Sequence, residues 1–215
     1  MAKEDHFTKI ELKTLASKKK NPIKTQKSTI RIIGGQWRGR KLAVGEEDGL
    51  RPTSDRLRET LFNWLTPYIH GTHCLDAFAG TGSLGFEALS RGAASVQFIE
   101  LNPRSAEQIR ANINQLDAAA SLSQCSFDEW QPDTTKVFDL VFLDPPFHEN
   151  LWQQALTHLN NSVTLAEESL IYIERPTQTT SGDQFKVPNN WAPIKEKTFG
   201  QVHATVYKTN PVEPS

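Results

Sequence analysis

An α/β protein, with helices on both faces of a mostly parallel sheet, is predicted by three features of the 215-residue sequence. From Cys74 onward, apolar runs of strand length alternate with segments of helical period. Val137 to Leu143 is nearly all apolar, as a central parallel strand covered on both faces must be. Gly80-Thr81-Gly82-Ser83-Leu84-Gly85 joins one of the strands to a helix. The length suits one sizeable domain with a buried core and a modest appendage.

Composition narrows the class. The 37% apolar and 23% charged content is ordinary for a globular chain, and no stretch approaches the roughly 18 consecutive apolar residues that span a membrane. Met1 to Lys20 lacks the apolar core of a signal peptide, so a cytoplasmic protein is expected. Cys74 and Cys125 lie in or beside apolar strands and form neither a disulfide framework nor a zinc site by themselves. The net charge of -1 hides an uneven distribution: up to Gly45 there are twelve Lys or Arg against three acids. Clustered cations gain from counterion release on a phosphate backbone, so this end points to a polyanionic partner; a merely solvated lysine-rich tail is the bland alternative.

Taken in order, residues 1–28 read as a basic, mostly disordered tail, with a weak helix at most over Ile10 to Lys19. Residues 29–50 read as a β-hairpin: Thr29 to Ile33 and Arg40 to Val44 are β-prone and flank Gly34-Gly35-Gln36-Trp37-Arg38-Gly39. Arg31, Trp37, Arg38, Arg40 and Lys41 crowd this element, and an aromatic plane among cations suits unpaired RNA. The competing reading is a hairpin packed on the main domain with Trp37 as anchor.

Residues 51–210 read as the main domain and 211–215 as a tail. Arg51-Pro52-Thr53-Ser54-Asp55 opens a helix, with Thr53 or Ser54 as N-cap and Leu57, Leu61, Trp64 and Leu65 on its buried stripe; Arg56, Glu59 and Asn63 form the solvated face, and Pro67 ends it. Strands follow at Cys74 to Ala79, Ser95 to Glu100, more weakly Ser121 to Cys125, Val137 to Leu143, and Leu170 to Glu174. Helices fall at Ser83 to Arg91, from Pro103 after an Asn102 cap, and at Asn150 to Leu159. Ile194 to Phe199 and His203 to Lys208, around Gly200-Gln201, form a closing hairpin.

Two stretches carry chemistry. The glycine loop lets a ligand approach the backbone at Gly80 and Gly82, beside the unpaired N–H groups of a helix start. Glu100, at the end of the next strand, is placed to accept ribose hydroxyls. That geometry alone also fits a dinucleotide-dependent dehydrogenase. Asp76 tilts it: a carboxylate there repels a pyrophosphate but holds the cationic amino-acid portion of S-adenosylmethionine. Phe78, Thr81, Leu101 and Ser126 complete the candidate cofactor contacts. The second stretch, Asp144-Pro145-Pro146-Phe147, ends the apolar central strand, where open α/β sheets place their crevice. Asp144 and the Pro145 carbonyl are placed to accept the two N–H bonds of an exocyclic base amine, and Phe147 to stack on a base drawn out of its helix. The plain alternative is a rigid strand-to-helix turn with Asp144 as cap. His70 and His73 lack a third ligand, and no metal is expected.

Arg31 to Arg40, Arg51 to Asn63, the glycine loop and Asp144 to Phe147 together resemble the bacterial ribosomal RNA small-subunit methyltransferase D family, over about Thr29 to Lys208. The resemblance implies a class I, Rossmann-like methyltransferase with seven strands in the order 3-2-1-4-5-7-6. It also implies S-adenosyl-L-methionine as cofactor, and guanine N2 of 16S ribosomal RNA, in an assembled or partly assembled 30S subunit, as target. A monomer is expected, with Arg31, Trp37, Arg38, Arg40, Lys41 and Arg51 on the RNA. Spacing alone does not choose guanine over adenine. An adenine-N6 methyltransferase on DNA or RNA, and a noncatalytic RNA-binding assembly factor, are the alternatives. The residue facing the cofactor adenine has no clear register within Gln124 to Asp128.

Overall fold

The computed structural model describes residues 29–44, 54–147, 151–178 and 185–210. The expected N-terminal tail, Arg51 to Thr53, His148 to Asn150 and the last five residues lie outside these. Thirteen elements follow one another: β1 (Thr29–Arg31), β2 (Lys41–Ala43), α1 (Asp55–Leu65), β3 (His73–Asp76), α2 (Ser83–Ser90), β4 (Ser95–Ile99), α3 (Pro103–Leu116), β5 (Ala120–Ser123), β6 (Phe138–Leu143), α4 (Trp152–Ser162), β7 (Leu165–Pro176), β8 (Trp191–Phe199) and β9 (Val202–Thr209). Seven strands form one sheet in the order β5-β4-β3-β6-β7-β9-β8. Counted from β3, this is 3-2-1-4-5-7-6. The first five are parallel, and β9 is antiparallel to both β7 and β8. No helix among the described residues is long and apolar enough to cross a membrane.

Alternation along the strands sends side chains to two cores. Cys74, Val96, Phe98, Leu140, Phe142 and Tyr172 meet α1, α2 and α3 on one face. Leu75, Val141, Leu143 and Ile171 meet α4, Phe127 and Trp130 on the other. Asn102 caps α3 as expected, its Oδ1 accepting from the N–H groups of Arg104 at 2.8 Å and Ser105 at 3.3 Å, and Pro103 opens the first turn. Ser54 is the cap of α1, accepting from Leu57 N–H at 3.3 Å.

Three departures from the sequence reading have physical causes. The first strand stops at Asp76, because the chain crosses between its neighbours: Ala77 N–H bonds to Phe142 and Ala79 N–H to Ile99. On α1, Phe62 and Arg58 are buried and Trp64 only half-buried. The hairpin covers that flank, and the Arg58 guanidinium donates to the Arg31 carbonyl at 2.8 Å and Asp55 Oδ1 at 2.7 Å. The strand expected from Leu170 begins at Leu165, through an irregular stretch with Glu168 at φ 59°. Its exposed Glu167 and Glu168 carry no apolar signal.

The β1–β2 hairpin is docked rather than free. Ile30, Ile32 and Leu42 are buried in the α1–α2–α3 core. Beyond β1 the backbone turns onto α2: the N–H groups of Ile33 and Gly34 donate to the Glu87 carboxylate at 2.7 and 2.8 Å, and Gln36 N–H donates to the Ser90 carbonyl at 2.7 Å. Gly35 sits at φ 74°, and a Cβ there would lie 1.7 Å from the Ser90 carbonyl oxygen; Gly39, at φ 84°, faces open space. Gly35→Ala is therefore expected to cost about 2–4 kcal/mol, and Gly39→Ala only the roughly 1–2 kcal/mol of left-handed backbone strain. Denaturant unfolding checks this, and equal costs at the two positions would show that the loop is not seated on α2.

Candidate active site

The strand order reverses between β3 and β6, and ligands of open α/β sheets bind where the carboxyl ends of strands part in this way. A cleft of about 810 Å³ opens there. Because the strands succeed one another across the sheet, so do the walls. The β3, β4 and β5 ends supply Asp76 to Thr81, Glu100 to Pro103 and Cys125 to Asp128. The β6, β7 and β8–β9 ends supply Asp144 to Phe147, Glu174, Phe199 and Val202, with Ser54 and Leu57 of α1 opposite.

The glycine loop is held by carboxylates. Asp76 is buried, and its Oδ2 accepts the Gly85 N–H at 3.0 Å, one of the orphan donors of the first turn of α2. Glu100, half-buried at the cleft wall, accepts from Gly80 N–H at 2.5 Å and Asn102 N–H at 2.7 Å, tying the loop to the β4 end. Gly80 and Thr81 line the cleft; Gly82 does not, and serves as the N-cap of α2 at φ 75°, where a Cβ would meet the Phe86 ring at 2.7 Å. Phe78 lies edge-on to Phe127 at 5.6 Å between centroids, and the exposed Leu101 forms the rim. Within Gln124 to Asp128, the structure brings Cys125, Ser126, Phe127 and Asp128 to the cleft but not Gln124.

The tetrapeptide faces this loop. Asp144, Pro145, Pro146 and Phe147 all line the cleft. The Phe147 ring, partly exposed at the mouth, packs on Trp152 at 5.6 Å. Beside it stands Glu174, which the sequence reading placed at a strand end without giving it a role. β6 and β7 pair in parallel with Leu143 opposite Ile173, so Asp144 and Glu174 are the next pair along. The Glu174 side chain is buried and accepts the Tyr172 hydroxyl at 2.7 Å, while the Trp152 indole donates to its backbone carbonyl at 2.6 Å. The available signal was the one that marked Glu100: a carboxylate closing an otherwise apolar strand.

The charge of the cleft is one-sided. Five carboxylates line it, from Asp76, Glu100, Asp128, Asp144 and Glu174, and no Lys, Arg or His stands among its described lining residues. The cations lie elsewhere. Arg31, Arg38, Arg40 and Lys41 are exposed on the hairpin. Its loop is fastened to Ser90 at the far end of α2, about 10 Å along the helix from Ser83 at the cleft. Trp37 is half-buried against the core, with its backbone N–H on Ser90 Oγ at 3.0 Å, so it anchors the hairpin while staying partly exposed. Arg51 is outside the described residues; Ser54, the first described residue after it, lines the cleft. Burial pushes the Cys74 thiol up to about 12, which makes it an inert core residue.

Comparison with known proteins places this geometry. A family model described as "Conserved hypothetical protein 95" matches residues 30–208. The chain is 48% identical over 195 residues to "Ribosomal RNA small subunit methyltransferase D" of Haemophilus influenzae, covering 88% of this chain and 99% of that one. It is 43% identical over 190 residues to the protein of the same name from Escherichia coli K12, covering 88% and 94%. The solved structure of yhhF from Escherichia coli superposes with a TM-score of 0.75 at 43% identity, over 85% of this chain and 99% of that one.

Burial raises the Asp76 carboxyl to about 7, against the opposing pull of the Gly85 N–H, and the charges of Asp144 and Glu100 add to the rise. The folded chain thus binds this proton more tightly than the unfolded chain. The stability it contributes is complete below the ordinary value of 3.8 and is lost as pH rises through about 7. Asp76→Asn, neutral throughout, is expected to gain on the wild type by on the order of a few kcal/mol between pH 5 and pH 8. Denaturant unfolding at the two pH values measures it; a difference between the proteins that does not change with pH would contradict a buried, proton-holding Asp76.

Proposed function

The chain belongs to the ribosomal RNA small subunit methyltransferase D family, and on that premise we propose that it methylates the exocyclic N2 of one guanine of 16S ribosomal RNA. The methyl donor is S-adenosylmethionine, and the substrate is the assembled or partly assembled small subunit. The protein acts as a monomer.

The anionic cleft carries this reading. Five Asp and Glu side chains, of which buried Asp76 gives up its proton only near pH 7, and no described cation suit a ligand bearing a sulfonium and an ammonium, and oppose the pyrophosphate of a dinucleotide. When bound, S-adenosylmethionine supplies an electrophilic methyl carbon on a sulfonium. Asp76, at the floor, would hold the amino-acid end and Glu100 the ribose, with Phe78, Thr81 and Leu101 around the middle. Ser126 and Asp128, the polar residues of Gln124 to Asp128 that line the cleft, would hold the adenine.

The target amine is a weak nucleophile because its lone pair is delocalised into the ring. Asp144 and the Pro145 carbonyl accept its two N–H bonds, favour a pyramidal nitrogen and direct the lone pair toward the cofactor end. Two consecutive prolines fix this stretch of backbone and bring no N–H donors of their own into the site. Phe147 stacks on the base. The same carboxylates repel phosphate, so the RNA backbone stays outside while the base swings in, at an unstacking cost of a few kcal/mol. Exposed Arg31, Arg38, Arg40 and Lys41 hold phosphates outside the cleft. The nitrogen releases its proton to water after transfer, and no strong base is needed.

Labelled methyl transfer to naked 16S RNA and to 30S subunits, followed by nucleoside digestion, tests the reading. N2-methylguanosine at a single position, formed faster on the subunit, is expected. N6-methyladenosine would move the chemistry to adenine, and no incorporation by a protein that still binds the cofactor would make it an assembly factor. Arg38→Ala combined with Arg40→Ala is expected to raise KM for the RNA substrate about tenfold and to lower the salt slope of binding by about 1.5 to 2, with cofactor Kd and kcat unchanged. An unchanged salt slope would remove the hairpin from the RNA contact.

A further inference from the structure

Glu174 is a buried carboxylate that the chemistry above does not use. It ends β7 beside Asp144, and strand alternation places it on the same side of the sheet: Phe142 and Tyr172 are opposite one another in the α1–α2 core, and Asp144 and Glu174 are each two residues further on. Adjacent parallel strands lie about 4.8 Å apart, close to the span of neighbouring donors on one base edge together with their acceptors. The carboxylate is aimed rather than loose. Tyr172 OH holds Oε1 at 2.7 Å and the Trp152 indole fixes the backbone beneath it. Burial, followed by the charges of Glu174 and Asp144, pushes the Tyr172 hydroxyl well above its usual value, so it remains a donor to Glu174. The cleft that holds the pair is also lined by Leu57, Phe199 and Val202, apolar side chains of the kind that enclose a flat base.

We propose that Glu174 is the residue that selects guanine, its carboxylate accepting the N1–H of the target base while Asp144 and the Pro145 carbonyl accept from N2. This rests on the guanine-N2 reading given above. Guanine carries N1–H and N2–H donors side by side on its Watson–Crick edge. Adenine presents a lone pair at N1, which two adjacent carboxylates repel. A carboxylate has about four acceptor positions, so the Tyr172 hydroxyl and a base N–H are accommodated together. A site built to bond a particular N–H rejects the analogue lacking it far more strongly than an apolar pocket rejects a missing methylene.

The test uses full-length protein, S-adenosylmethionine and subunits reconstituted with guanine or 2-aminopurine at the modified position. 2-Aminopurine keeps the N2 amine but has an acceptor at N1. The wild type is expected to methylate 2-aminopurine at least 100-fold less efficiently, in kcat/KM, than guanine. Glu174→Gln, whose amide donates to an N1 acceptor, is expected to lose about 100-fold on guanine and to gain on 2-aminopurine until the two bases differ by less than tenfold, with cofactor Kd unchanged. Tyr172→Phe, which frees the carboxylate to turn, is expected to lose about tenfold on guanine. A Glu174→Gln protein that keeps its guanine activity, or loses activity on both bases in proportion, overturns the assignment. A wild-type product other than N2-methylguanosine is read from the nucleosides first, and overturns the underlying reading instead.

Discussion

Parallel pairing of β3 with β6 is the constraint on which the site depends. It joins Cys74, Leu75 and Asp76 to Leu140, Val141 and Phe142, two segments far apart in the chain whose only local virtue is that both are apolar enough to be buried on two faces. Helices after β3 cover one face and α4 after β6 covers the other, so the connections diverge at this seam and leave a gap above it. The glycine loop and the Asp-Pro-Pro-Phe turn are the next residues of those two strands. Neither is a site alone.

Helix α2 extends the same constraint outward. Asp76 binds its first turn through Gly85, while Glu87 and Ser90 hold the hairpin backbone near its other end. Eight residues thus connect the floor of the cleft rigidly to the cationic hairpin. The arrangement separates charge by function: carboxylates line the cleft, and Arg and Lys project from the hairpin beyond it. On the proposed reading, an RNA substrate would meet the second and deliver only a neutral base to the first.

Much of this was legible in the sequence because it depends on local signals. The apolar run Val137 to Leu143, the Asn102-Pro103 helix start and the glycine loop each state their own structure. The strand order entered by family resemblance and is the one observed. What stayed hidden was what depends on tertiary partners. Arg58 looks like a solvated helix residue and is buried with its Nη2 held by the Arg31 carbonyl and the Asp55 carboxylate. Asn112 is buried because it caps the Ala43 carbonyl of β2. Glu174 gave the same strand-end signal as Glu100, but without a glycine loop to pair with, nothing in one dimension brought it to Asp144. Spacing alone also does not show that Gly82 is the left-handed N-cap of α2.

The proposed function divides labour between the two strand ends, the β3–β4 side to hold the cofactor and the β6 side to activate the base. Cofactor titration combined with single-turnover methyl transfer, on Asp144→Ala and Glu100→Ala in parallel, tests it most directly. Asp144→Ala is predicted to keep cofactor Kd within about threefold while the transfer rate falls at least about 100-fold, as expected when a group positioning the reacting atoms is lost. Glu100→Ala is predicted to weaken cofactor binding at least tenfold, with the larger part of its activity restored at saturating cofactor. Equal losses of cofactor affinity in the two variants, with transfer by Asp144→Ala restored at saturation, would contradict the account.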